Sequence, residues 1–360
     1  MIRSIVARLP PGVKVVLRKG RATVQLTVVR IFSSNGFLAS LYFCLFSRRF
    51  YGEHLAVLKG RRRYYEDLKG DGKSSPLLRR NIHRIEKGLI MRPRRAVFAE
   101  SFILVTVHAL KKARATPEYS AEELRWASDV LQEYFSVVSD TSIIKTARTA
   151  FAGGDDTVAP DDGRQRPSKP YARADSPTLT VSFEDLYGLY ARRRSVRWYL
   201  KKEVPVELIR KAIDAAAQAP SACNRQPFHF IVTTEPAWAS RIAECAGGTE
   251  GFSQQLPAII VVTGDLSAYP FERDRHLIYI DASLASMQLM LAAETLGLAT
   301  CPINWPDVDS AEQRIRKLLH LPQHERVIML IAIGYGDPKS GVAYSQKKQA
   351  DFLVTEFSPE

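Results

Sequence analysis

The chain has 360 residues, of which 46% are hydrophobic and 25% charged, and a formal net charge of +13. These proportions belong to a folded globular protein with a sizeable core and exclude a disordered or collagenous chain. The cysteines Cys44, Cys223, Cys245 and Cys301 lie far apart with no CxxC pair, which excludes a disulfide framework or a cysteine-built zinc site and points to a reducing, cytoplasmic setting.

The charge is uneven. Residues 1–95 carry 22 Lys and Arg against 5 Asp and Glu, a balance of +17, while the remaining 265 residues carry 29 against 33. Residues 1–58 read as a basic arm with one apolar knot, Phe37 to Phe46. That knot is well short of the roughly 20 residues a membrane-spanning helix needs. Arg3, Arg8, Lys14 and Arg18 precede it, but Arg48 and Arg49 follow where a signal sequence would place a small-residue cleavage site. The expected partner of residues 1–95 is an anionic membrane, placing the protein at its inner face. The plainer alternative is that these cations only solvate a helical surface. Nucleic acid is not expected, since no binding motif occurs and aromatic residues are not interleaved for stacking.

Residues 59–150 read as a helical extension. Ser74-Ser75-Pro76 is a helix start, and Leu77, Leu78, Ile82, Ile85 and Leu89 follow near helical spacing until Pro93. Val97 to Ala115 reads as a second helix, and Ser120 with Glu123 forms a capping box for a third. Residues 151–177 are dominated by Gly, Asp, Pro, Ser, Arg and Lys, so they bury too little to offset the entropy of ordering and are expected to be a flexible linker.

From residue 178 to 360 helix and strand signals alternate. Phe183–Arg193, Val206–Ala219, Ala237–Cys245 and Ser310–Leu319 read as helices, and Phe228–Thr233, Ala258–Thr263 and Val327–Ile333 as strands. Tyr279–Leu296 is apolar nearly all round, so it belongs in a core or against a second subunit. The pattern predicts an α+β sandwich with a central mixed sheet.

Two stretches carry chemistry. Arg192-Arg193-Arg194-Ser195-Val196-Arg197 gathers cations and a hydroxyl after a helix, and guanidinium forks suit phosphate oxygens. Such a run is also an ordinary solvated helix face, as at Arg61–Arg63. In the second, Pro220 and Pro227 bracket a turn holding Ser221, Asn224 and Gln226. As packing alone this would be a polar loop closed by Asx-type hydrogen bonds. Weaker signals fall away: Pro322 breaks the helix that would align His320 with His324, and Gly334-Tyr335-Gly336 runs into Asp337-Pro338 as a turn.

Together and in this order, the two stretches resemble the flavin-binding signature of the nitroreductase family. Asp281–Gln288 with Ala292–Leu298 resembles the family's long central helix. The resemblance implies a three-layer nitroreductase-like sandwich over residues 178–360 that binds FMN noncovalently. It implies hydride transfer from NADH or NADPH, through the flavin, to a small organic acceptor such as a nitroaromatic, quinone, enone or pathway-specific metabolite. A homodimer with flavin at its interface is implied as well.

By the same resemblance Arg193, Arg194, Ser195, Arg197 and Lys347 or Lys348 hold phosphate and ribityl groups. Pro220, Ser221, Asn224 and Gln226 line the ring edge, and the backbone of Ile303, Asn304 and Trp305 lies by the flavin N5. Trp305 is expected to narrow the acceptor pocket. No catalytic side chain and no metal is assigned, because the flavin carries the chemistry. Asn81 to Leu89 resembles extensions on nitroreductase-like proteins from polysaccharide-biosynthesis gene clusters. That supports a second reading, a non-catalytic flavin-binding module working with a partner at the membrane.

Overall fold

The structure is a computed structural model in which residues 25–67, 73–153 and 167–359 are described. Residues 1–24 of the basic arm and 154–166 of the expected linker lie outside the described residues. The chain divides into two units, one reaching to Leu55 and including Asp307–Asp309, the other made of Ala56–Pro306 and Ser310–Glu360.

In the first unit helix α1 covers residues 25–32 and α2 covers Gly36–Leu45. The apolar residues here run consecutively, so no helical period is visible in the sequence. The helix is set locally instead, by Asn35, whose side chain accepts the Leu38 N–H at 2.9 Å. The Phe32 ring packs 5.4 Å from Phe46 and 5.7 Å from Tyr42. No residue of α2 is buried, and Phe37 is 77% exposed. Helix α3 (Tyr51–Asp67) crosses the boundary between the units.

The second unit begins with a helical layer of its own: α4 (Pro76–Leu89), α5 (Glu100–Arg114), α6 (Ala121–Val137) and α7 (Ser142–Ala152). Ser75 caps α4 and Pro76 takes its first turn, where a missing N–H costs nothing. Leu78, Ile82, Ile85 and Leu89 then fall on one face and bury against Ile103, Val107, Leu110, Val130, Leu131 and Ile144. The capping box of α6 forms only by half. Ser120 Oγ accepts the Glu123 N–H at 3.2 Å, but the Glu123 carboxylate turns away from Ser120 and takes the Ser75 N–H at 3.1 Å.

After α8 (Phe183–Arg192) and α9 (Val206–Ala216) come β1 (Phe228–Thr233), α10 (Pro236–Ala243), β2 (Ala258–Asp265), α11 (Leu277–Thr295), β3 (Ala299–Asn304), α12 (Asp309–Leu319) and β4 (Glu325–Gly334). The strands lie in the order β1-β2-β4-β3. All three pairings are antiparallel, so the parallel part of the expected mixed sheet reduces to one bridge, Ser195 to Thr300. That bridge sets Ser195 beside the start of β3, and Tyr199 then pairs with Gly336, just beyond β4. The outer border of β1 has no strand beside it among the described residues.

Period-two alternation builds the three layers. Ile260 and Val262 of β2 face one core with α9 and α11, whereas Ile259 and Val261 face the other with α10 and α12. Each fully buried Ile or Val contributes about 1.5–3 kcal/mol. Among the described residues, one helical stretch, Glu272–Thr295, is long and apolar enough to cross a membrane. It packs as a core helix, because Ile278, Ala282, Ala285 and Leu289 are buried on the sheet. Gly334 permits residues 195–199 to cross the sheet end, since a Cβ there would stand 2.4 Å from Pro257 and 2.9 Å from the Tyr199 ring.

A titrating pair ties β1 to β4. Glu325 Oε1 stands 3.8 Å from His229 Nδ1, and its other oxygen accepts from Thr263 Oγ1 at 3.2 Å. The Glu325 contact holds His229 above its ordinary 6.5 despite desolvation, with Asp265 adding in the same direction. Desolvation pushes Glu325 up, but His229, Thr263 and His324 together leave it below 4.5. The raised histidine stabilises the fold below pH 6.5 and loses that effect as pH rises through its folded pKa. The lowered carboxylate stabilises above pH 4.5 and loses its effect as pH falls through its folded pKa. The stability gap between wild type and His229→Gln should therefore be widest between those two values and shrink on either side. Urea unfolding across pH measures it, and a flat gap would refute the coupling.

Candidate functional site

The loop between α9 and β1 is held in a conformation its sequence does not favour. Cys223, Asn224 and Gln226 all have positive φ, at 54°, 52° and 50°. Asn tolerates that region, but Cys and Gln enter it only where surroundings enforce it. Ser221 supplies part of the enforcement: its carbonyl accepts the Asn224 N–H at 2.9 Å and its Oγ accepts the Gln226 N–H at 3.0 Å. The serine O–H proton and the Asn224 side-chain amide stay unspent among the described hydrogen bonds.

Asp281, buried on α11, supplies the second hold. Its Oδ2 accepts the Ala222 N–H and the Tyr269 O–H, each at 3.0 Å. Burial raises the Asp281 pKa above its ordinary 3.8, although those two bonds and Arg225 oppose the rise. Burial and Asp281 together push the Tyr269 hydroxyl up, so it remains a donor. Arg225 lies 4.8 Å over the Tyr269 ring, and its Nη1 donates to the Ala222 carbonyl at 3.3 Å.

The third hold comes from the helical layer. Arg79 of α4 donates from Nε to the Asn224 carbonyl at 2.8 Å and from Nη2 to Gln226 Oε1 at 2.9 Å. Its Nη1 is paired with Glu123 at 3.1 Å. Gln226 in turn donates from Nε2 to the Ala217 carbonyl at 2.7 Å. Both ends of the Gln226 amide are therefore engaged by protein. A ring-edge role for its side chain does not fit this arrangement, and Gln226 acts as a strut of the loop.

The arginine run lies along β3. Val196 N–H donates to the Thr300 carbonyl at 3.0 Å, which carries Arg193, Arg194, Ser195 and Arg197 past the start of that strand. Arg192 is paired with Glu294 at 2.9 Å. Arg193, Arg194 and Arg197 have no carboxylate partner among the described residues. Arg193 and Arg197 draw down the Cys301 thiol, though burial dominates and keeps it above its ordinary 9.0. Arg194 donates to the Ala343 carbonyl at 2.9 Å and lines a cavity of about 520 Å³ with Tyr344, Gln346 and Lys347. The structure thus brings Arg194 and Lys347 together across some 150 residues of chain, while Lys348 is exposed and does not line that cavity.

At the end of β3 the side chains diverge. Asn304 is exposed, Ile303 is buried, and the Trp305 indole is 8% exposed and donates to Glu312 at 3.1 Å. Trp305 is thus a core residue and does not narrow a pocket. No hydrogen bond among the described residues links the arginine run to the loop at 221–226.

Comparison with known proteins follows this geometry. The model of the nitroreductase family matches residues 190–249 and 233–335, a span that includes the arginine run, the strained loop, α11 and all four strands. A protein of Methanothermobacter thermautotrophicus, provisionally named NADH dehydrogenase/NAD(P)H nitroreductase, is 35% identical over 158 residues, covering 43% of this chain and 79% of its own. The chain belongs to the nitroreductase family. An Archaeoglobus fulgidus protein with the same provisional name is 34% identical, covering 42% of this chain and 86% of its own. The solved structure of an FMN-dependent nitroreductase from Clostridium difficile R20291 is 28% identical, with TM-score 0.41, covering 48% of this chain and 99% of its own.

The unpaired cations of this family member suit the phosphate dianion of FMN. The free Ser221 proton and Asn224 amide suit a polar ring edge. The sequence did not single out Arg79, Asp281 or Tyr269. An aspartate within an apolar helix was the available signal for Asp281, whereas Arg79 looked like any surface arginine of α4.

Removing Arg79 strips the loop of two donors and leaves Glu123, only 2% exposed, without its cation. Arg79→Ala should cost about 3–5 kcal/mol, the range for breaking a buried ion pair. Urea unfolding checks this, and Arg79→Leu combined with Glu123→Gln should recover part of the loss. A cost below about 1 kcal/mol, typical of a surface pair, would contradict it.

Proposed function

We propose that residues 178–360 bind FMN and that the protein, as a homodimer, carries hydride from NADH or NADPH to a small organic acceptor. The observation supporting this best is that Arg193, Arg194, Arg197 and Lys347 stand without carboxylates while neighbouring Arg192 is already neutralised by Glu294. Unneutralised guanidinium groups held together by backbone pairing are suited to a phosphate. FMN, when bound, supplies the redox chemistry by taking hydride from the nicotinamide and passing it to the acceptor. The chain's own residues position and hold. Arg194 and Lys347 would meet the phosphate, Ser221 and Asn224 would offer donors to the ring edge, and Asp281 and Arg79 would keep the loop from relaxing.

The dimer reading is supported by the outer face of α11. Ile280, Leu284 and Met287 recur at helical spacing and are 52%, 44% and 38% exposed, an apolar row suited to a second copy. Purified protein should be yellow or should take up FMN on titration, and Arg194→Ala should weaken that binding by about 1.5–3 kcal/mol. Colourless protein that takes up no FMN would overturn the reading, and so would a flavin-loaded monomer seen by light scattering at low micromolar concentration. If bound flavin is not bleached by NADH or NADPH without oxygen, the non-catalytic module replaces the enzyme.

We further propose that residues 1–95 attach the protein to an anionic membrane. Phe37, Leu45 and Phe46 are 77%, 60% and 65% exposed beside the cation-rich sequence. Each cation near an anionic surface adds about 1 kcal/mol. Full-length protein should sediment with anionic vesicles at low salt, and Phe37→Ser with Phe46→Ser should release it. Wild type remaining in the supernatant would reject the attachment.

A further inference from the structure

A cavity of about 610 Å³, lined by no residue of the loop or the arginine run, opens between α4, α5 and the turn that joins them. Its size falls within the roughly 300–1,000 Å³ typical of small-molecule pockets. Arg84, Lys87 and Arg95 line it together with Phe98 and Phe102, and no carboxylate does. Two other arginines of this layer are neutralised, Arg79 by Glu123 and Arg148 by Asp140. Arg84, Lys87 and Arg95 have neither an ion pair nor a hydrogen-bond acceptor among the described residues.

Arg84 is the most constrained of the three. Its guanidinium lies 3.8 Å over the Phe102 ring, which occupies one face and leaves the N–H edge open. Burial lowers its pKa below the ordinary arginine value, and repulsion from Arg80 and Arg225 adds to that. A half-buried cation among like charges is costly unless something negative visits it. Gly88 completes the wall, because a Cβ there would stand 2.4 Å from the Phe98 ring. Any larger residue would drive that ring away from α4.

We propose that this cavity binds a small organic anion, a phosphate or carboxylate group carried on a flat apolar body. The Arg84 fork takes the anion's oxygens, and Lys87 and Arg95 approach from the solvent side. Phe98 and Phe102 offer the apolar surface. None of these residues belongs to the arginine run or to the loop, although Arg84 lies within electrostatic reach of Cys223 and Arg225.

The test is calorimetric titration of the full chain, saturated with FMN wherever it takes FMN up, using phenyl phosphate, inorganic phosphate and benzyl alcohol as probes. Phenyl phosphate should bind once per chain and more tightly than inorganic phosphate, and benzyl alcohol should not bind. Arg84→Gln should weaken phenyl phosphate by about ten-fold. Arg95→Gln, in an exposed turn where folding is not at risk, should weaken it several-fold. Arg194→Ala should leave it unchanged, which separates this cavity from the flavin reading whether or not that reading survives. No binding at millimolar probe, binding indifferent to Arg84→Gln and Arg95→Gln, or binding lost in Arg194→Ala would each overturn the proposal.

Discussion

Glu123 is the buried charge on which the large unit turns. A carboxylate this deep must have its lone pairs filled, and its partners come from separate places: the Ser74 hydroxyl, the Ser75 N–H, the Tyr119 hydroxyl and Arg79. The two serines fix the start of α4 against α6, and Tyr119 comes from the residues leading into α6. The fourth fixes the direction of a guanidinium whose remaining donors reach Asn224 and Gln226. A single desolvated carboxylate therefore sets the geometry of a loop in the flavin-like region, although no flavin-like residue touches it. The helical layer is part of how that loop is built.

Where pattern is local, the sequence was readable. The caps at Ser75 and Ser120, the row from Leu78 to Leu89 and the alternation of β2 all follow from periodicity or from a side chain next to the backbone it serves. So did the loop's rigidity, announced by Pro220 and Pro227. What stayed hidden depends on contacts that no local pattern announces. Gln226 read as a free amide because its partner, Arg79, lies 147 positions away. Trp305 read as a pocket wall because nothing local shows that Glu312 takes its N–H inside the core. Strand β3 was missed as a strand because Pro302 interrupts its signal, a residue tolerated where the strand borders the sheet's edge.

Arginine is used in three ways in this molecule, and the differences are physical. Arg79 is a partly buried structural fork with all three of its nitrogens engaged. Arg225 is buried, yet its Nε has no hydrogen-bond partner, and it leans on the Tyr269 ring. The run at 193–197 is neither buried nor neutralised, and it is held by backbone pairing with β3 and by hydrogen bonds that involve Ala343, Gln255 and Tyr199. Composition counts all of them alike as positive charge. Their environments separate those that hold the fold from those left open to an anion.

The two borders of the sheet are unlike. Ser195 is bridged to Thr300 at the start of β3, while the β1 side has no neighbour among the described strands. An uncovered border presents a row of free N–H and C=O groups. Beside it lies a hollow of about 810 Å³ lined by Ile209, Ile213, Phe228 and Phe230. An extended segment, whether from the same chain or another, can lengthen the sheet by entering alongside Phe228–Thr233, and there it would meet a hollow lined by both apolar residues and the polar Arg210, Asp214 and His229.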